Sequence, residues 1–227
     1  MNHLFNLSLK PIHGDLEASY ESAMERLNDF FGIGWTQHLP PVFIVEDRAT
    51  IDCLQTKETE SWVVGWSDRR KVFLLSREKM GIESVREYPI DEYNALLAHE
   101  LCHLFFNAST NGGHTPVWLN EGLSGYTSGQ IRLKDKEKPR TFSSFLEFFD
   151  TGGSGVYKES GFAVEALVNA YGKEKILVLL KKVKEVGQNM TREQFEEIFK
   201  AVYGLELTYD TFNKFTESGQ RASSCLA

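Results

Sequence analysis

The chain has 227 residues, of which 41% are hydrophobic and 25% charged, a composition ordinary for a globular protein with a sizeable core. Its 25 basic and 32 acidic residues leave a formal net charge of −7, which argues against a nucleic-acid partner. No run approaches the 18 consecutive apolar residues that a membrane-spanning helix requires, so no membrane span is expected.

The cysteines and the first residues bear on the cellular compartment. Cys53, Cys102 and Cys225 are odd in number and far apart, so they imply no disulfide framework. Residues 1–15 lack the basic stretch and apolar run of a secretory signal. The sequence therefore predicts a reduced, cytoplasmic protein, with a monomer as the default.

The first part of the chain predicts a helix followed by a small sheet. Asp15 is a suitable N-cap, and an apolar stripe at helical spacing follows it as far as Gly32. Residues 42–45 predict a buried strand and 47–55 a brief helix. Residues 62–66 and 71–75 predict a β-hairpin around a polar turn at 67–70, which would make the sheet mostly antiparallel.

An edge strand of this sheet could receive an extended peptide by strand addition. The simpler interpretation of its aromatic residues, Trp62 and Trp66, is that they are ordinary core or surface side chains. Both interpretations stay open at this point.

From Pro89 onward the pattern is helical, with no convincing strand. Asp91 opens a largely apolar helix, Thr115 and Pro116 are placed to cap and begin the next, and residues 142–149 predict a short aromatic helix that packs in the core. Three further helical segments are predicted at 157–170, at 174–186 and after a capping box at 191–194. A final turn or two is expected at 208–215. The charged residues 132–140 predict a surface loop, and 218–227 a frayed tail.

The stretch with the clearest chemistry lies inside the helix that Asp91 opens. His99 and His103 are four residues apart, so their imidazoles share one helix face and can reach one metal ion. Glu100 follows the first histidine, as in the H-E-x-x-H pattern of zinc peptidases, where the glutamate is the general base. A catalytic zinc site needs a third protein ligand from another element.

Glu121 lies 18 residues after His103, one turn into the helix expected to start near Thr115. If the two helices are antiparallel, its carboxylate lies over the two imidazoles. Its neighbours Trp118, Leu119 and Leu123 are apolar, so an unpaired charge there would be costly. A metal ion would remove that cost.

Two motifs, His99-Glu100-Leu101-Cys102-His103 and Trp118-Leu119-Asn120-Glu121-Gly122-Leu123, together resemble the gluzincin zinc metallopeptidases. The second is most similar to the W-L-N-E-G motif of the aminopeptidase N family, although the gap between the motifs is one residue shorter here. The resemblance covers roughly residues 90–187. It implies a compact, peptidase MA-like protein in which His99, His103 and Glu121 hold Zn²⁺ and Glu100 activates a zinc-bound water.

Further roles follow from the same resemblance. The segment that starts at Tyr157 is similar, with a one-residue insertion, to the Y-E-K-G segment whose tyrosine stabilises the oxyanion, which implies that role for Tyr157. The G-x-M-E-N segment that grips a free N-terminus is absent, so an endopeptidase acting on a peptide or protein substrate is expected.

Asn120 and Asp91 are candidate partners for the metal-bound imidazoles. His114 is expected on the surface, and Cys102 as a small buried hydrophobe.

The expected fold is α+β and zincin-like, in one catalytic domain spanning 1–227. A small mostly antiparallel sheet in the subdomain 1–88 would pack on the active-site helix, and a mainly helical subdomain would follow at 89–217. Two functions remain: a zinc peptidase, or a zincin-fold metal-binding protein that acts as a non-catalytic binding or regulatory module. The presence of both Glu100 and Tyr157 favours catalysis.

Overall fold

The computed structural model describes residues 9–133, 137–153 and 155–215. The predicted tail, 218–227, lies outside this part of the chain, as do three residues of the charged loop. Within the described ranges, every helix is too short or too polar to span a lipid bilayer.

Over the described residues the fold is α+β, with one three-stranded sheet and a majority of helical elements. In chain order the elements are α1 Asp15–Phe31, β1 Val42–Val45, α2 Arg48–Gln55, β2 Gly65–Asp68, β3 Lys71–Leu75, α3 Arg77–Glu83, α4 Ile90–Ser109, α5 Val117–Thr127, α6 Val156–Tyr171, α7 Lys173–Val186 and α8 Arg192–Tyr203. Residues 130–132 and 145–147 form 3-10 turns, and residues 209–215 are helical.

The central element is α4, whose apolar residues lie on several faces. Helix α1 packs against one side of it with the stripe that the sequence predicted, and β2, β3 and α5 pack against other sides. The Tyr93 hydroxyl of α4 donates to the backbone oxygen of Leu75 at 3.0 Å, which ties the helix to the end of β3. The helix is therefore fixed from several directions, and so are the side chains that it carries.

The sheet is mixed, so the prediction of a mostly antiparallel sheet was wrong in part. Its strand order is β1-β3-β2, with β1 parallel to β3 and β2 antiparallel to β3. Parallel strands need a long connection. Here α2 and the loop after it connect β1 to the hairpin, which lets β3 run parallel to β1. Arg69 and Arg70, with φ of 43° and 67°, form the two-residue turn of that hairpin.

The hairpin also begins later than predicted. Residues 62–66 were expected to form its first strand, whereas β2 starts at Gly65. The guanidinium of Arg48 explains the shift, because it donates to the backbone oxygens of Glu60, Ser61 and Val63 at 3.2, 3.1 and 2.6 Å. These bonds hold the segment in a turn, and the ladder can begin only after it.

The predicted aromatic helix at 142–149 is only a 3-10 turn. The buried carboxylate of Glu159 accepts hydrogen bonds from the amides of Ser143, Ser144 and Phe145 at 2.9–3.2 Å. The segment therefore wraps around a side chain instead of forming its own helical bonds. The predicted core packing is confirmed, since Phe142, Phe145, Leu146 and Phe149 are buried.

Helix starts differ from the predictions by one or two residues. Gly14, and not Asp15, is the N-cap of α1. The N-cap of α5 is Pro116, with an extended ψ of 136°, and not Thr115. The capping box at Thr191 and Gln194 is confirmed.

Candidate metal centre

Two imidazoles lie side by side on α4. His99 and His103 are one turn apart, and their ring centroids are 4.8 Å apart with the planes nearly perpendicular. Their side chains are 5% and 13% exposed. Because α4 is buried along most of its length, both imidazoles are largely enclosed, and His99 lines a cavity.

Glu121 on α5 faces both imidazoles. Its Oε2 atom lies 3.2 Å from Nε2 of His99 and 3.8 Å from Nε2 of His103. Three ligand atoms around a tetrahedral ion with bonds of 2.0–2.1 Å would be roughly 3.3 Å apart. The structure thus places the Glu121 oxygen at close to the required spacing from the nitrogens of both predicted histidine ligands.

Glu121 also supplies an independent indication that a cation fits there. Its Oε2 atom is buried and, among the described residues, accepts no hydrogen bond of good geometry. A buried carboxylate oxygen without a partner is costly. An ion between Oε2 and the two Nε2 atoms would satisfy it, so the residues present fit a metal.

Glu100 offers a second possible third ligand, because His99, Glu100 and His103 carry ligand atoms that all lie within 4.8 Å of one another. Glu121 fits better, since its oxygen is at 3.2 and 3.8 Å from the imidazole nitrogens. The Glu100 carboxylate also lines the cavity, next to Gly65 of β2. This arrangement leaves Glu100 available for proton transfer.

The two carboxylates differ in their acidity. Burial raises the pKa of Glu100 to about 7; the nearby His103 lowers it in part, and the charge of Glu121 makes a smaller contribution that raises it. Burial would also raise the pKa of Glu121, but the close imidazoles of His99 and His103 outweigh burial and hold it below its usual value. The lowered pKa favours the ionised form of Glu121, as a metal ligand requires, whereas the raised pKa of Glu100 lies close to neutrality.

The second imidazole is oriented by α5. Nδ1 of His103 lies 2.8 Å from Oδ1 of Asn120 and 3.2 Å from Oγ of Ser124. Because the amide oxygen can only accept, Nδ1 carries the proton and Nε2 presents its lone pair toward Glu121. The structure places Asn120 where the sequence suggested.

Asp91, the other suggested partner, is placed elsewhere. It is exposed in the first turn of α4, two turns before His99. Within the described residues, Nδ1 of His99 has no hydrogen-bond partner. The suggestion that Asp91 supports a ligand was wrong because eight residues of helix separate the two along the axis.

Tyr157 comes to the site from the first turn of α6. Its ring centroid is 6.1 Å from that of His99, and it lines the same cavity as Glu100 and Glu121. Burial first, and then the carboxylates of Glu121 and Glu100, raise its pKa. Its hydroxyl therefore stays protonated at neutral pH and can donate a hydrogen bond.

The site opens into a cavity of about 400 Å³. Its walls include the buried apolar side chains of Leu96 and Ile131. Its outer part carries Trp62, which is 48% exposed, and Lys158. The cavity is large enough for one or two side chains of a bound chain molecule.

Two residues near the site, His114 and Cys102, are not among the candidate metal ligands or proton donors. His114 is exposed and is absent from the cavity walls. Cys102 is completely buried, and burial raises the pKa of its thiol to about 12, although hydrogen bonds with Thr127 and Ser124 on α5 act in the opposite direction. It packs as the expected small apolar side chain.

Sequence reasoning missed three residues that shape the site. Ser124 lies four residues after Asn120, so helical spacing could have identified it. Gly65, isolated within a β-forming run, carried the signal of a close backbone approach. Arg48 carried no local signal, because its partners are more than ten residues away along the chain.

Comparisons with known proteins give a distant relative. The chain is 28% identical over 165 residues to "Uncharacterized protein YhcO" of Bacillus subtilis (strain 168). The match covers 61% of this chain and 50% of that protein, so the chain matches only about half of that relative's length. No protein-family model matches the chain, and no solved structure matches it.

Proposed function

We propose that the protein is a zinc-dependent peptidase of the gluzincin type. The observation that carries the proposal is the position of Glu121, whose unpartnered Oε2 atom faces the Nε2 atoms of His99 and His103. Two imidazole nitrogens and one carboxylate oxygen are a donor set of catalytic zinc sites, which keep a fourth position open. The cavity beside the donor set supports an open site.

Zinc held by these residues would act as a Lewis acid and lower the pKa of water. Glu100 has the position and the acidity to accept a proton from the attacking water and return it to the leaving amine. Its pKa of about 7 lets it do both near neutral pH. A second carboxylate that is not a metal ligand supports hydrolysis over simple metal storage.

Tyr157 is proposed as the oxyanion donor. Its hydroxyl is kept protonated, and its ring, 6.1 Å from that of His99, lines the same cavity as Glu100. A donor of this kind acts on charge that develops in the transition state, and its loss costs roughly 10²–10³ in rate.

The cavity wall formed by residues 62–65 supports a peptide as substrate. β2 is an edge strand of the sheet, and the cavity is lined by its first residue, Gly65, and by residues 62–64 before it. An extended peptide can pair with such an edge by main-chain hydrogen bonds. With no segment resembling G-x-M-E-N, internal cleavage is the proposed mode.

A metal-binding module without catalysis is the alternative. It requires only His99, His103 and Glu121, and it gives no reason for Glu100 and Tyr157 to face the same cavity. The two functions are separated by what happens when the proposed base is removed.

The test uses the purified chain with one equivalent of zinc and a peptide library analysed by mass spectrometry. Cleavage by wild type and its loss in Glu100→Gln, with zinc content equal in both, support the proposal. Glu174→Gln, which removes an exposed carboxylate on α7, is the matched control and should retain full activity. Equal cleavage by Glu100→Gln and wild type would exclude the mechanism, and zinc binding without any cleavage would favour the module.

A further inference from the structure

Gly65 is the first residue of β2, paired with Leu74 of β3. Its φ lies outside the left-handed region, so its backbone conformation is open to any residue. The reason for a glycine at this position must therefore be the space around it.

That space is filled by the Glu100 side chain. A methyl group added at Gly65 would lie 3.1 Å from Oε1 and 3.2 Å from Cγ of Glu100, and 2.9 Å from Cδ2 of Leu74. Carbon atoms in ordinary contact are 3.5–4.0 Å apart. The β2 backbone thus lies directly against the proposed base, with no side chain between them.

We propose that Gly65 is a positioning residue for Glu100, which rests on the peptidase function proposed above. Without a β-carbon, the strand forms a flat wall that lets the Glu100 carboxylate occupy the cavity edge beside the imidazoles. Glu100 is only 6% exposed, so its side chain has little room to move elsewhere. A larger residue would displace the carboxylate while leaving the three metal ligands, which lie on α4 and α5, in place.

We expect the Glu100 carboxylate to be displaced by a few tenths of an ångström. This would slow proton transfer without changing the binding of substrate or zinc. Catalytic groups are sensitive on this scale, since a misplacement of about 1 Å costs about 10²-fold. For Gly65→Ala we expect kcat to fall roughly tenfold, with KM within about twofold and zinc stoichiometry unchanged. Gly152→Ala is the matched control, because a methyl group there meets only Cγ1 of Val117 at an ordinary 3.7 Å.

The contact with Leu74 gives a way to separate positioning from simple strain. Leu74→Val removes the Cδ2 atom that a methyl group at Gly65 would meet. If the loss in kcat comes from displacement of Glu100, kcat of the double variant Gly65→Ala/Leu74→Val should still be lower than kcat of Leu74→Val. Full recovery in the double variant would show that the core contact was responsible and would overturn the proposal.

A readout independent of turnover uses the cobalt-substituted protein. Glu100 lines the cavity beside the proposed ligands His99 and Glu121, so its displacement should alter the visible absorption bands of Co²⁺ in Gly65→Ala in the same direction as in Glu100→Gln. Gly152→Ala should match wild type. A Gly65→Ala spectrum identical to that of wild type overturns the positioning role. If wild type cleaves no peptide, the peptidase function fails, while the spectrum still decides the role of Gly65.

Discussion

The Nδ1 atom of His103 lies 2.8 Å from Oδ1 of Asn120, and this contact joins the helix of the imidazoles to the helix of Glu121. Asn120 precedes Glu121 in the chain, so one turn of α5 both orients a proposed ligand and supplies another. The geometry of the site therefore depends on the packing of α4 against α5.

Replacing Asn120 by alanine should weaken zinc binding. The imidazole of His103 loses the acceptor that fixes its tautomer, and such losses typically lower metal affinity about 10–100-fold. Competition with a chromophoric chelator measures the change. Asn169→Ala, an exposed position on α6, is the control. An affinity unchanged in Asn120→Ala would show that the contact does not support the metal.

Removing metal should destabilise the protein. Zinc at about 100 times its Kd contributes about 2.7 kcal/mol to the free energy of unfolding, which for a chain of this size is roughly 5–10 °C in Tm. Calorimetry with and without a chelator measures the shift. In Glu121→Gln, which lacks the charged ligand, the shift should be smaller by more than half, and a full shift there would contradict the proposed ligand set.

Arg48 should matter for substrate binding rather than for chemistry. Its guanidinium donates to three backbone oxygens of residues 60–63, and also to that of Glu83 at 2.8 Å. These bonds hold the loop that carries Trp62 into the cavity wall. We expect Arg48→Ala to raise KM about tenfold with kcat within about twofold, because a loosened wall weakens ground-state and transition-state binding alike.

Two further variants define the role of Arg48. Arg48→Lys should behave like the alanine variant, since the ammonium group of lysine cannot replace the several directed N–H donors of the guanidinium. Arg77→Ala, an exposed position in α3, should have wild-type kinetics. A loss confined to kcat in Arg48→Ala would point to a different role for this loop.

Glu159 should make stability pH-dependent. Its burial would raise its pKa, but hydrogen bonds from the amides of Ser144, Ser143 and Phe145 outweigh this and hold the pKa below its ordinary value. The stabilisation is therefore present above the ordinary pKa and is lost as the pH falls through the lowered one. Glu159→Gln should cost on the order of 1–2 kcal/mol at neutral pH.

Denaturant unfolding of wild type and Glu159→Gln over a pH series measures this effect. The difference between the two should shrink as the pH falls below the ordinary pKa of a glutamate. Glu174→Gln serves again as control, since that carboxylate is exposed. A difference that stays constant into the acid range would mean that charge on Glu159 is not what holds residues 143–145.

The grouping of the candidate site residues was predictable from the sequence because the residues are close to one another along the chain. The four-residue spacing from His99 to His103, and the second motif on the following helix, define the arrangement once both segments are helical. The Asn120 contact followed for the same reason. The Asp91 suggestion failed because it depended on proximity in sequence without regard to the helix axis.

The errors in the fold have long-range causes. The start of β2 is set by Arg48, and the loss of the predicted helix at 142–149 by Glu159. Both side chains capture backbone groups of a segment more than ten residues away. Local propensity and periodicity do not reveal such bonds, which compete with the hydrogen bonds of regular secondary structure.

The central claim is that His99, His103 and Glu121 hold one zinc ion while Glu100 stays free to act as a base. Crystals grown with zinc and measured on both sides of the zinc absorption edge test it most directly. We predict one anomalous peak per chain, within about 2.0–2.2 Å of Nε2 of both histidines and of a Glu121 oxygen. A peak bound by Glu100 in place of Glu121, or no peak at these residues, would contradict it.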